Sequence, residues 1–134
     1  MDKNKTIWTN GCFDIIHAGH IELFRYAKSQ GDELFVGIDS DERVRSLKGE
    51  LRPINTQANR KSVLEAIKYI DAVFVFDSVS EMEKILIDNE VDLIVIGDEY
   101  KGKSITGEEI CEVCFFEKIP GKSTTSIIDN MKDI

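Results

Sequence analysis

What most constrains this chain is a regular exchange of two hydrophobic periods. Five short runs, Thr6–Thr9 (TIWT), Glu33–Ile38 (ELFVGI), Ala72–Phe76 (AVFVF), Asp92–Ile96 (DLIVI) and Glu112–Phe116 (EVCFF), are β-rich and nearly continuous in apolar residues, the pattern of strands covered on both faces. Between them lie segments with helical spacing. Gly19–Ser29 brings Leu23, Phe24 and Ala27 onto one stripe, and Thr56–Ile70 does the same with Val63, Leu64, Ile67 and Ile70 behind a Thr56 N-cap. Ser80 with Glu83 fits a capping box ahead of Ile85 and Leu86, and a last helix is expected to open at Ser123 and bury Ile127, Ile128 and Met131. The order β-α-β-α-β-α-β-β-α predicts an α/β fold: a Rossmann-like, doubly wound, mostly parallel sheet of about five strands with helices on both faces. A length of 134 residues allows one such domain, 1–134. In this architecture ligands bind beyond the carboxyl ends of the strands, where the strand order reverses.

Charge and composition narrow the partners. Against 17 Lys and Arg stand 25 Asp and Glu, a net charge of −8, so no face for nucleic acid is expected. A small anion remains possible, because a few converging cations and backbone N–H groups reverse the local field. No run of eighteen apolar residues occurs and Met1–Thr6 is polar, so neither a membrane span nor a secretory signal is expected. The three cysteines, Cys12, Cys111 and Cys114, are odd in number and scattered, which disfavours a disulfide framework and makes the cytoplasm the simplest compartment. Cys111 and Cys114 form a single C-x-x-C, half of what a structural zinc site wants, in a strand-like segment where residues three apart face opposite ways.

The loop after the first strand reads Asn10-Gly-Cys-Phe-Asp-Ile-Ile-His-Ala-Gly-His20. Gly11 allows a tight exit from the strand, and Gly19 lets a ligand approach the first turn of the helix. With a helix start near Ala18, His17 and His20 fall on neighbouring positions of one side. There, unpaired N–H groups and the positive end of the helix dipole offer a seat for phosphate. That dipole opposes imidazole protonation, so neutral donors are as good a reading as cations. Two other readings compete: one histidine caps the helix while the other is core, or the pair joins the cysteines in a metal site.

Gly11-Cys-Phe-Asp-Ile-Ile-His-Ala-Gly-His20 resembles the G-x-F-D-x-x-H-x-G-H signature of the cytidylyltransferase-like nucleotidyltransferases, and Ser123-Thr-Thr-Ser-Ile-Ile128 is similar to the S-T-T-x-I-I segment that opens their final helix. The two motifs bracket nearly the whole chain. Between them, Ser40–Gly49, Arg52-Pro-Ile-Asn55 and Arg60 resemble the nucleotidyltransferase domain that makes ADP-heptose, whereas Ile96-Gly-Asp-Glu-Tyr-Lys-Gly-Lys103 looks as much like the glycerol-3-phosphate cytidylyltransferases. Those cytidylyltransferases carry an Arg shortly before Ser-Thr-Thr. This chain has Lys118 there, a charge without the bidentate fork.

The resemblance implies transfer of a nucleoside monophosphate from an NTP to the phosphate of a small molecule, releasing pyrophosphate. No nucleophilic side chain is needed, because the acceptor's own phosphate oxygen attacks the α-phosphorus in line. It assigns catalytic roles to His17 and His20, donors to the triphosphate and transition state, and to Lys48, a bridge between α-phosphate and acceptor. It assigns nucleotide binding to Cys12, Phe13, Gly19, Gly97, Asp98, Lys118, Gly121, Ser123, Thr124 and Thr125. Of these, Gly97 and Asp98 line the base pocket, Ser123–Thr125 meet the β,γ-phosphates, Phe13 also packs beneath the loop, and Cys12 has no chemistry of its own. Asp14, Arg52 and Arg60 are assigned to the acceptor or its phosphates, with Asp14 alternatively ordering the loop. Mg2+ would accompany the triphosphate with few protein ligands, no resident metal site is expected, and the family implies a homodimer.

Read from the residues alone, Lys48, Arg52 and Arg60 could be a solvated face, Asp98 a turn residue, and Ser123 only a cap worth ~1 kcal/mol. The expected substrates are ATP and a heptose-1-phosphate-like sugar phosphate. CTP with glycerol 3-phosphate or another polyol phosphate is the close rival, and a non-catalytic nucleotide-binding regulatory module is the alternative of another class. The length leaves no room for a fused sugar kinase, so that step would fall to another protein.

Overall fold

In the computed structural model, which describes residues 4–117, each of the five β-rich runs forms a strand. These are β1 (Thr6–Gly11), β2 (Glu33–Asp39), β3 (Ala72–Phe76), β4 (Leu93–Gly97) and β5 (Glu112–Phe116), and the helices are α1 (Ala18–Ser29), α2 (Asp41–Lys48), α3 (Gln57–Glu65) and α4 (Val79–Asp88). All strand pairs are parallel, in the order β3-β2-β1-β4-β5. Both faces are covered, as the continuous apolar runs require. Ile7, Leu34, Val36, Ile38, Leu93 and Val95 pack with Phe24 and Ala27 of α1 and Leu64 of α3. Trp8, Ile94 and Ile96, one residue out of phase, pack with Phe76 and with Met82 and Leu86 of α4. The expected final helix lies outside the described residues.

One helix was not expected, and two local expectations are corrected. The stretch 41–48 forms a helix that no apolar stripe announces, for its only buried residue is Val44. Ser40 caps it, Asp41 and Glu42 stand in its first turn and Arg45 and Lys48 in its last, the charge order that complements the helix dipole. The helix after Thr56 stops at Glu65 rather than Ile70, and Ile67 and Ile70 reach the core through tight turns, Ile67 N–H to Leu64 O and Ile70 N–H to Ile67 O. The N-cap of α4 is Ser78, whose Oγ accepts from Glu81 N–H at 3.2 Å while Glu81 Oε2 accepts from Asp77 N–H at 2.6 Å. Ser78/Glu81 and Ser80/Glu83 are overlapping S-x-x-E registers, and the earlier one wins.

Gly37 shows how the core reaches the ligand edge. It faces the fully buried Trp8, and a Cβ there would collide with the indole ring. The indole N–H in turn donates to Asn10 Oδ1 at 3.0 Å, so the packing of β2 fixes a side chain at the end of β1. Gly37→Ala is expected to overpack this contact and lower unfolding free energy by about 1–3 kcal/mol. The readout is a reduced urea midpoint at unchanged slope, and a variant as stable as the parent would refute the tight fit.

Candidate active site

The strand order reverses between β1 and β4, and there the sheet opens. β1 pairs with β2 along six positions, Thr6 to Gly11, but with β4 only at Ile7–Leu93 and Trp8–Ile94. Beyond Trp8 the two strands part while β4 stays paired to β5 as far as Gly97. A cavity of about 350 Å3 lies at this edge, lined by Asn10, Gly11 and Cys12 of the β1 exit, Asp39, Arg43 and Lys48 of the β2–α2 segment, and Ile96, Tyr100, Ser104 and Thr106 of β4 and the loop after it. The sequence reading placed Lys48 and Cys12 here. It quoted Asn10, Arg43 and Tyr100 within motif segments without giving them a role, and it did not name Asp39, Ser104 and Thr106, whose only signal was position after a strand end.

His17 and His20 do not line that cavity; they build the adjacent start of α1. His17 is the N-cap, its Nδ1 accepting from Gly19 N–H at 3.0 Å, and His20 Nδ1 accepts from His17 N–H at 3.2 Å. This is a capping box made of two imidazoles stacked 3.9 Å apart between centroids. An accepting Nδ1 places the proton of a neutral ring on Nε2, so the geometry assigns both rings as Nε2 donors. The reading of one cap and one core histidine is thereby revised: both cap, in reciprocal fashion. Phe13, in a left-handed conformation at φ 49°, supports them from below, its ring edge-on to His20 at 5.4 Å and close to Phe24 at 5.2 Å. Phe13 is buried and packs beneath the loop, as the sequence suggested, and it does not line this cavity.

Asp14 and Arg60, assigned to acceptor phosphates, are spent inside the protein. Asp14 is buried, and its carboxylate accepts from Ile54 N–H at 2.8 Å, Asn55 N–H at 2.7 Å and Arg52 Nε at 3.0 Å. Burial pushes this carboxyl up, but the Ile54 and Asn55 amides and the Arg52 guanidinium outweigh it and hold it below the ordinary carboxylate range. Asp14 therefore orders the Arg52–Asn55 loop, with its cis Arg52–Pro53 bond. The Arg60 side chain is fully buried and donates to the carbonyls of Asn55 at 3.0 Å, Cys12 at 2.9 Å and Asp39 at 2.8 Å, and to Asp41 Oδ1 at 2.8 Å. Four of its five N–H groups are engaged by these partners and the side chain is fully buried, so it braces the site. Arg52 keeps 21% of its side chain exposed, and only its Nε is used among the described residues.

The remaining assignments divide. Gly97 ends β4 at the open edge, and a Cβ there would strike the Glu99 carboxylate; Asp98 begins a short 3-10 turn. Burial pushes the Cys12 thiol up, with Lys48 and Arg60 pulling against it, so it stays a thiol. Lys118, Gly121, Ser123, Thr124 and Thr125 lie outside the described residues. Among the described residues no group of three or more His, Cys, Asp or Glu could hold a metal. Cys111 and Cys114 face apart, Cys111 Sγ donating to Val91 O at 3.3 Å on the α4 side and Cys114 Sγ meeting Tyr26 Oη at 3.1 Å on the α1 side. No described helix is long and apolar enough to cross a membrane.

The family described as cytidylyltransferase-like matches residues 8–129. The chain is 44% identical over 132 residues to the bifunctional protein HldE of Campylobacter concisus and 44% identical over 129 residues to that of Wolinella succinogenes, covering 98% and 96% of this chain. It spans only 28% and 27% of those proteins. The crystal structure of the lipopolysaccharide core biosynthesis protein from Thermoplasma volcanium GSS1 is similar at a TM-score of 0.74 and 25% identity, over 87% of this chain and 99% of that one.

The Asp14 network has a pH signature. A carboxyl depressed on folding contributes stability that is complete above its unfolded pKa and lost as pH falls through the folded one. Asp14→Asn is expected to cost about 1–3 kcal/mol at neutral pH, since its amide group cannot accept all three donors. The gap from the parent should close as pH drops below about 4, measured by denaturant titration at each pH. A gap constant from pH 7 to pH 2 would show that the charge of Asp14 is not what holds the loop.

Proposed function

The chain belongs to the cytidylyltransferase-like family, and from that premise we propose that it transfers the nucleoside monophosphate of an NTP, ATP in preference, to the phosphate of a heptose-1-phosphate-like sugar. Nucleotidyl transfer is the family's reaction; the nucleotide, the acceptor and the direct attack are the proposal. The observation that carries it is the reciprocal cap of His17 and His20, which turns both Nδ1 atoms to backbone amides and leaves Nε2 as the protonated nitrogen, with His17 Nε2 buried, at a helix N-terminus adjacent in sequence to the wall of a cavity that Lys48 lines. In line, an acceptor phosphate oxygen forms the new bond to the α-phosphorus as the bond to pyrophosphate breaks, and no protein atom becomes covalently attached. The site's task is then to align two polyanions and to stabilise charge on the equatorial and leaving oxygens. The positive end of the α1 dipole and an imidazole Nε2 proton serve the triphosphate, Lys48 serves the contested space between α-phosphate and acceptor, and the cavity holds the acceptor. Mg2+ enters as part of the NTP substrate.

A sugar phosphate is favoured by the likeness to the HldE proteins and to a lipopolysaccharide core biosynthesis protein, together with the resemblance of Ser40–Arg60 to the ADP-heptose-making domain. CTP with a polyol phosphate is the second reading, favoured by Ile96–Lys103. A homodimer in the cytoplasm completes the proposal. Pyrophosphate release across a grid of NTPs and sugar or polyol phosphates tests it: turnover with ATP and a heptose 1-phosphate supports it, turnover confined to CTP and glycerol 3-phosphate replaces it with the second reading, and a silent grid favours a non-catalytic module.

The capping role dictates which variants are informative. His17→Asn and His20→Gln retain an acceptor for the N-cap and N3 amide bonds but replace the imidazole Nε2–H with an amide NH2 displaced from its position. Each is expected to lower kcat roughly 10²–10³-fold, the scale for losing a transition-state donor, with Tm near that of the parent. Near-parental turnover in either would end that residue's catalytic role. Lys48→Ala should lower kcat more than it raises KM for the nucleotide, whereas a pure KM effect would demote it to ground-state binding.

A further inference from the structure

The helix that carries Lys48 to the cavity is barely packed. Val44 is the only buried residue among its eight, and Leu47 is 63% exposed. So short a helix has little stability of its own, and beyond Val44 and the Arg43 guanidinium over the Phe76 ring at 5.7 Å its packing gives its far end little direction. Its first residue is tied twice to α3: the Asp41 carboxylate accepts from Arg60 Nη2 at 2.8 Å, and Asp41 N–H donates to Gln57 Oε1 at 2.8 Å. Arg60 is itself immobilised by the carbonyls of Cys12, Asp39 and Asn55. One buried guanidinium thus joins the β1 exit, the end of β2, the loop before α3 and the start of α2.

We propose that Asp41, clamped to Arg60 and Gln57, is a positioning residue that aims α2 and so sets where Lys48 stands in the cavity. This rests on the catalytic reading of Lys48. Lys48 lies seven residues beyond Asp41 on the same helix, about 10 Å along its axis, so a tilt of about 6° at the clamp moves it by about 1 Å. A displacement of that size costs up to ~10²-fold in rate when the moved group acts on the reacting atoms. The Ser40 cap and the Arg43–Asp39 pair at 2.8 Å stabilise the helix from within its own segment, whereas the Asp41 bonds are those that reach α3.

The test combines a double-mutant cycle with hydrogen exchange. Asp41→Asn should lower kcat about tenfold while KM for the NTP changes less than about twofold. In a Lys48→Ala background, read by single turnover at high enzyme, the same substitution should change the rate less than about twofold, because its route through Lys48 is gone. Amides of Val44–Lys48 should exchange faster in Asp41→Asn than in the parent. Fully multiplicative rate effects, or unchanged exchange in α2, overturn the proposal. Gln57→Ala, which removes only the second tie, gives the same cycle should Asp41→Asn fail to fold. A parent enzyme silent across the substrate grid overturns the functional reading instead, and the exchange of α2 then decides the clamp alone.

Discussion

The parting of β1 from β4 is the constraint from which the rest of the structure follows. In a parallel sheet whose order reverses, the connection from β1 runs over one face to β2 while the later strands are laid down on the other side. The two central strands therefore meet at only two positions, Ile7–Leu93 and Trp8–Ile94. Closing the sheet further would fill the space where Asn10, Gly11, Cys12 and Ile96 now line a cavity. The cores on both faces hold the strands at this divergence. Ile7 and Trp8, adjacent in sequence, belong to opposite cores, and through Gly37 and the Trp8–Asn10 bond the second core extends to the cavity wall.

Stability and chemistry are joined at the start of α1. Helices α2 and α4 open in the ordinary way, with a serine cap and acidic residues in the first turn. α1 has no acid in its first turn and is capped by imidazole. A carboxylate there would complement the dipole more strongly, but it would also occupy the positive end that an anionic ligand needs. Two Nδ1 acceptors satisfy the orphan amides without neutralising the field, and the same bonds fix the Nε2 tautomer. Phe13, strained at φ 49°, holds His20 from beneath, the kind of local cost that a pre-organised site carries.

Periodicity made the sheet legible because strand burial is a short-range pattern: Ala72–Phe76 and Glu112–Phe116 fall where the apolar runs put them. α2 was illegible for the same reason. Its position is set by a polar clamp and by charge order, and neither leaves a hydrophobic period. Arg60 shows the deeper limit. In one dimension it is another basic residue in a phosphate-rich context, and only the fold reveals three carbonyls and a carboxylate converging on it. For Asp14 the residues allowed either an acceptor contact or an ordered loop, and the Arg52–Asn55 loop closed around its carboxylate is the second. The histidine motif was legible as a motif, but its capping geometry depends on backbone directions that residue identity does not encode.

The arginines of the site are, with one accord, compensated: Arg43 by Asp39, Arg52 by Asp14 and Arg60 by Asp41. A chain of net charge −8 thus brings cations to its ligand edge without leaving most of them available to bind polyanions. Lys48 has no ion pair among the described residues, and it stands at the exposed end of a helix whose own charges are arranged for the dipole. Its ammonium, a compact charge on a flexible stem, can serve oxygens on two phosphates in turn, where a bidentate guanidinium would hold one. The proposed attack between two phosphates would need attraction that follows the charge as it moves from acceptor to leaving group. Fixed, internally paired arginines cannot supply that, but under the proposed mechanism they would hold still the helix that carries Lys48.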